Sequence, residues 1–244
     1  MSIRRHYEAQ RHIATTLQEQ FIHPLPKVAG LELGVISQPA FDPELVGGDF
    51  SDVFLLDDTH VVVMIGDVAG KGVKAAALTE TVRAKIRAFA AVDSSPAFIL
   101  GKTNELMLRH DPGEPHVTAF LAVLEIPTGH LIHASAGHTV PVHIGASSCR
   151  LIDMSYGPPL NAFACDYAEM RSMLAPDDYL VLYTDGVTEA RRDGEQFGDE
   201  RLLEAACGLR GRPAQEVAEG VRDAALDFAG KLKDDLQIVV VRLA

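Results

Sequence analysis

Four aspartates stand where apolar runs of the chain begin or end. Asp49 precedes residues 50–56, Asp67 follows 61–65, Asp185 follows 179–184, and Asp234 precedes 236–243. Short apolar runs bounded by polar and glycine residues read as strands, so each carboxylate is held at the end of a rigid element. If these strands are neighbours, the four carboxylates converge at one rim. Like charges brought that close do not all ionise without compensation, and bound divalent cations supply it. The donors are all oxygens, with no Cys/His cluster, which selects Mg²⁺ or Mn²⁺ over zinc. Two such ions, roughly 3.5–4 Å apart, generate hydroxide from water and clamp a phosphoryl group for in-line attack. The alternative is four unrelated turn or cap aspartates.

The stretch VVVMIGDVAGKGVK carries Asp67 out of its strand into a glycine-rich turn. Two superficial matches fail here. Gly66-x3-Gly70-Lys71-Gly72 has three residues between its glycines where a phosphate-binding P-loop needs four, and Gly72 has no hydroxyl for magnesium. Gly47-Gly48-Asp49-Phe50 lacks the acidic fourth residue of the diguanylate cyclase hairpin. Lys71 is placed to attract a phosphoryl group or to be a solvated turn lysine. Asp52 and Asp235 are candidates to orient the carboxylates beside them. His138, in Ala136-Gly137-His138, reads as a structural turn histidine more readily than as a proton donor. No Ser/His/Asp or Cys/His arrangement offers a covalent mechanism.

The elements that must position these residues follow from periodicity. Residues 31–37, 50–56 and 60–65 read as strands, the last two joined by a turn at Asp57-Asp58-Thr59. Leu78, Val82, Ile86 and Phe89 keep helical spacing over about 74–91. Ser95-Pro96 is a cap with proline at the first helical position, opening a helix to about Arg109. Strands are expected at 117–126 and 130–135, joined as a hairpin through Pro127-Thr128-Gly129, then at 140–144, 149–152, 166–173 and 179–184. A polar loop at 191–196 leads to a short helix near 200–207. Pro213 opens a last helix with Val217, Val221, Ala225 and Phe228 on one face, and 236–243 is the closing strand. This is not the strand–helix alternation of a parallel sheet. It predicts an α+β fold, two antiparallel sheets stacked face to face with helices outside.

Composition narrows the partners. The 244 residues carry a net charge of -12, which argues against nucleic acid and anionic membranes. No apolar run approaches the roughly 20 residues of a membrane-spanning helix, and Arg4 and Arg5 precede no signal-like apolar segment. Cys149, Cys165 and Cys207 are far apart in sequence and form no Cys-x-x-Cys pair, so reduced, buried thiols in a cytoplasmic protein are expected. Residues 3–22 read as a helix with a narrow seam of Ile13, Leu17 and Phe21, closed by Pro24 and Pro26. Such a seam suits either packing on the domain or a dimerisation helix.

The segments VGGDFSDVF, IGDVAGKGVKAA, TAFLAVLEIPTGHLIHASAGHTVPV, DYLVLYTDGVTEAR, GEQFGDERL and KDDLQIVVVR occur in this order. Together, over roughly residues 30–243, they closely resemble the SpoIIE/RsbU-type branch of the metal-dependent protein phosphatases, relatives of protein phosphatase 2C. IATTLQEQFIHPLP looks like the linker helix that often precedes this domain, which divides the chain into a linker or dimerisation helix at 1–26 and a phosphatase domain at 27–244. The resemblance implies an αββα sandwich and hydrolysis of phosphoserine or phosphothreonine on a regulatory protein, without a covalent intermediate. Carried over, Asp67 bridges two Mn²⁺ or Mg²⁺ ions. Asp49 and the Val68 carbonyl complete one ion, Asp185 and Asp234 the other, and a bridging water is the nucleophile. The implied substrate is a phosphorylated STAS-domain anti-sigma-factor antagonist in a partner-switching pathway.

Three positions depart from the family pattern. Ser51 stands where an aromatic residue is common, Asn161 replaces a glycine in Gly157-Pro158-Pro159-Leu160-Asn161, and Gln237 replaces a threonine after Asp234-Asp235-Leu236. None removes an implied ligand, although Gln237 can alter what surrounds Asp234, and such neighbours tune metal sites. These departures motivate a second reading: a phosphatase-like module that binds a signalling partner with little turnover.

Overall fold

The structure, a computed structural model, describes residues 25–38 and 47–244. Two sheets stack face to face. In one, the order is β1 (Leu31–Gln38), β13 (Leu236–Leu243), β10 (Tyr179–Tyr183), β6 (Val142–Ile144) and β7 (Cys149–Leu151), all antiparallel. The other runs β2 (Asp49–Leu55), β3 (His60–Val68), β4 (Val117–Glu125) and β5 (His130–Ala136). At its far edge β8 (Tyr156–Gly157) pairs parallel and β9 (Met170–Met173) antiparallel with β5.

Two helices, α1 (Val73–Ala90) and α2 (Pro96–His110), cover the β2–β5 sheet. A one-turn α3 (Asp185–Thr188) leaves β10. The helices α4 (Gly198–Gly208) and α5 (Ala214–Ala229) cover the other sheet. Alternation along the strands accounts for all three packing layers. Val61, Val63 and Ile65 of β3 meet Leu180, Leu182, Val239 and Val241 between the sheets. Val62 and Met64 face Val82, Ile86, Ile99 and Leu100 of α1 and α2. Val181, Tyr183, Ile238 and Val240 face Val217, Val221 and Ala225 of α5. Because both faces of the central strands are covered, they read in sequence as unbroken apolar runs.

Local signals behave as chemistry dictates. The Ser95 hydroxyl accepts the Phe98 N–H at 3.1 Å and Pro96 starts α2. Gly129 lies at φ 71° in the β4–β5 hairpin, where an added Cβ would meet the Leu174 carbonyl oxygen at 1.9 Å.

Three expectations need correction, and one short strand was not expected. Only Met170–Met173 of 166–173 is strand. Residues 191–196 fold back as a small hairpin, β11 (Arg191–Arg192) with β12 (Glu195–Gln196). The two-residue β8 has too little pattern to be seen in sequence. Finally, Cys149 and Cys207 are joined in a disulfide with their Cα atoms 5.8 Å apart, leaving Cys165 as the free thiol. Their separation of 58 residues hid this, because β7 and α4 pack together only in the folded chain. The helix expected at 3–22 lies outside the described residues.

Candidate active site

The strand register brings the first two carboxylates together. Asp49, first residue of β2, lies directly opposite Asp67 near the end of β3, close enough for their charges to repel. Close approach of backbone makes this corner possible. A Cβ on Gly48 would meet the Val68 carbonyl oxygen at 2.2 Å and Asp67 Oδ1 at 2.8 Å, so the carbonyl expected to act as a ligand is held beside Asp67.

The other sheet delivers Asp185 and Asp234 to the same rim. Asp185 opens α3 immediately after β10, and Asp234 lies two residues before β13, which pairs with β10. A Cβ on Gly186 would meet the Asp235 carbonyl oxygen at 1.9 Å, so these two loops touch. Thr184 ties the sheets together: its hydroxyl donates to Asp49 Oδ2 at 2.7 Å and accepts the Gln237 N–H at 3.0 Å. Sequence reasoning passed over Thr184; the available signal was a hydroxyl residue directly before Asp185.

Charge crowding is visible in the acidities. Burial, then the repulsion of Asp67, raises Asp49 well above the usual carboxylate range despite the Thr184 hydrogen bond. Burial, then Asp185 and Asp234, pushes Asp67 up to about 7. Burial, Glu189 and Asp234 raise Asp185. Carboxylates that resist ionisation together are what a hard divalent cation stabilises, so the donor set fits Mg²⁺ or Mn²⁺ in chemistry. Its arrangement is open, however. Among the described residues no three Asp, Glu, His or Cys side chains surround a common point as ligands do.

The neighbouring residues divide in two. Lys71 places Nζ 2.7 Å from Asp234 Oδ1, which also accepts the Asp235 N–H at 3.0 Å. Asp235 is buried against Gly47. Asp52, by contrast, is drawn away. Period-two alternation puts it on the face of β2 opposite Asp49, where Arg87 of α1 donates to its two oxygens at 2.6 and 2.8 Å and Arg83 stands at 3.9 Å. His138 is buried, with Nδ1 2.9 Å from the hydroxyl of Thr118, and Thr118 lies opposite Asp67 in the β3–β4 register. Burial pushes its imidazole down to about 4, so it is neutral near pH 7 and props the Asp67 strand.

The three departures from the family pattern now have structural accounts. Ser51 and Gln237 answer each other: Gln237 Nε2 donates to Ser51 Oγ at 2.7 Å, adding a second link between β2 and β13. Asn161 has φ 64°, a left-handed conformation that glycine and asparagine tolerate best. Its side-chain amide donates to the carbonyls of Asp111 and Glu114 at 3.1 and 2.9 Å.

Two stacked antiparallel sheets between helix pairs, with aspartates of both sheets at one rim, define the class: a protein phosphatase 2C-like serine/threonine phosphatase domain. The chain belongs to the SpoIIE family (Stage II sporulation protein E), whose profile matches residues 57–244. It is 25% identical to phosphoserine phosphatase RsbU of Bacillus subtilis (strain 168), over 98% of this chain and 72% of that protein. The SiaA-PP2C domain of Pseudomonas aeruginosa superposes with a TM-score of 0.84 at 20% identity, covering 100% of this chain and 99% of the other. The RsbU and RsbW domains of Rv1364c from Mycobacterium tuberculosis give 0.80 at 23% identity, covering 89% of this chain. The chain spans 61% of that last protein, less than two thirds of its length. Among the described residues no helix is long and apolar enough to cross a membrane.

Proposed function

We propose that the chain hydrolyses phosphoserine or phosphothreonine on a regulatory protein, using two Mn²⁺ or Mg²⁺ ions held by Asp49, Asp67, Asp185, Asp234 and the Val68 carbonyl. The observation that carries this reading is the direct opposition of Asp49 and Asp67, with Asp67 raised to about 7 by burial and by Asp185 and Asp234. When bound, the ions would supply a water acidic enough to attack at neutral pH and charge to offset the phosphoryl oxygens. The protein's own part is to hold its carboxylates rigid: Thr184 fixes Asp49, Gly48 admits the Val68 carbonyl, and the Asp235 N–H donates to Asp234 Oδ1. Lys71 is the basic side chain beside these carboxylates that an incoming phosphoryl group would meet.

The likeness to RsbU and to the RsbU and RsbW domains of Rv1364c supports a place in partner switching, with a phosphorylated STAS-domain antagonist as substrate, in the cytoplasm. Residues 1–26 are proposed to form a separate dimerising segment ahead of the domain at 27–244. Light scattering on the full chain and on a chain lacking residues 1–25 should show a dimer and a monomer; a monomer in both would refute this.

The enzymatic test is phosphate release from an aryl phosphate and a phosphoserine protein with Mn²⁺ titrated. Asp67→Asn should abolish release that the parent supports, by at least about a hundredfold if the ions activate the water. The open arrangement of the carboxylates gives the binding-module reading its support. Capture of a phosphoprotein by the parent without any phosphate release, across both metals, would favour that module over the enzyme.

A further inference from the structure

Lys71 is the side chain whose position the proposed chemistry does not by itself require. It lies four residues after Asp67, and its ammonium reaches Asp234 across the gap between the two sheets' loops. Asp234 Oδ1 is thereby engaged twice, by Lys71 Nζ at 2.7 Å and by the Asp235 N–H at 3.0 Å. A hard divalent cation needs an oxygen at about 2.0–2.1 Å, or somewhat more for manganese, with its lone pair free. The ammonium and a cation therefore compete for the same carboxylate oxygen.

We infer that Lys71 is an internal counter-ion that competes with the divalent cation for Asp234. This rests on the metal reading above and deepens it. Two features make the lysine releasable. Its partners are partly wet, with the lysine and aspartate side chains 29% and 56% exposed, and exposed pairs of this kind are weak. It is also flanked by Gly70 and Gly72, at φ 109° and 97°, with open space where either Cβ would stand. The turn can thus swing the ammonium away without a steric penalty. Occupation by Lys71 also accords with the open arrangement, since Asp234 faces the lysine while Asp49 and Asp67 face each other.

The test is titration calorimetry of Mn²⁺ into the full chain, for the parent, Lys71→Met, Lys71→Arg, Asp234→Asn and the double variant Lys71→Met/Asp234→Asn. Lys71→Met should tighten binding by about three- to tenfold, through loss of the pair that occupies Asp234. Lys71→Arg, which keeps the charge, should stay near the parent. The gain should vanish in the Asp234→Asn background, where the contested carboxylate charge is gone. Unchanged affinity in Lys71→Met overturns the inference and leaves the metal reading standing. So does a gain that persists beside Asp234→Asn, because the lysine would then act only through its general field. Failure of the parent itself to bind Mn²⁺ overturns both.

Discussion

At the scale of single residues, environment outweighs residue type. His133 and His138 are both imidazoles in the β4–β5 region, yet neither serves as a charged group. His133 is fully buried on β5, stacked near Phe120, with Nε2 3.1 Å from the Ser172 hydroxyl and Nδ1 without a hydrogen-bond partner. Burial lowers it from 6.5 to about 4, against a small opposing pull from Asp153. Above pH 6.5 the ring is neutral in both folded and unfolded chains, and it leaves stability independent of pH. Between 6.5 and 4 the unfolded chain takes up a proton that the folded chain refuses, so stability falls; below 4 the effect levels off. Urea midpoints measured across this window should decline with acid, and His133→Asn should remove part of that decline. An equal decline in the variant would show that other groups carry it. The Ser51–Gln237 bond makes a related point, since two residues that look like independent departures form one contact.

At the scale of elements, the site depends on how α1 is fastened to β2. Asp49 begins β2, and the turn after Asp67 leads into α1, so any slip between these elements disturbs the carboxylates. The fastening is Asp52, whose side chain is 2% exposed and is gripped by Arg87 at both oxygens; Arg87 in turn lies 4.4 Å above the Phe54 ring. Removing Asp52 leaves Arg87, which is 40% exposed, partly solvated in its place. Asp52→Ala should therefore cost about 1.5–3 kcal/mol in chemical denaturation. Asp52→Asn, which keeps one acceptor, should cost less. Equal stability in all three proteins would show the pair to be incidental.

At the scale of the whole molecule, the two helical layers are secured differently. The α1–α2 layer relies on packing and on the Asp52 cluster. The α4–α5 layer adds the Cys149–Cys207 bridge, which ties edge strand β7 to α4 and closes a loop over a sequence separation of 58. Closing a loop of that length stabilises by about 4 kcal/mol through the unfolded chain's lost entropy. Reduction should lower the urea-unfolding free energy by about that amount, and Cys149→Ser should show the lower value even under oxidising conditions. No difference between oxidised, reduced and Ser forms would mean the bridge contributes nothing to stability.

Sequence alone determined the element order, the continuous apolar strands and the positions of Asp49, Asp67, Asp185 and Asp234 at their ends. Those depend on local periodicity and on turn chemistry, which neighbouring residues carry. Their ordered motifs also sufficed to indicate the family. Only the tertiary structure decided that Asp52 serves α1, that Thr184 bridges the sheets, that Ser51 meets Gln237, that Cys149 meets Cys207, and that Lys71 rests on Asp234. Each of those contacts joins residues from different elements, between 35 and 186 positions apart, so no local pattern encodes it.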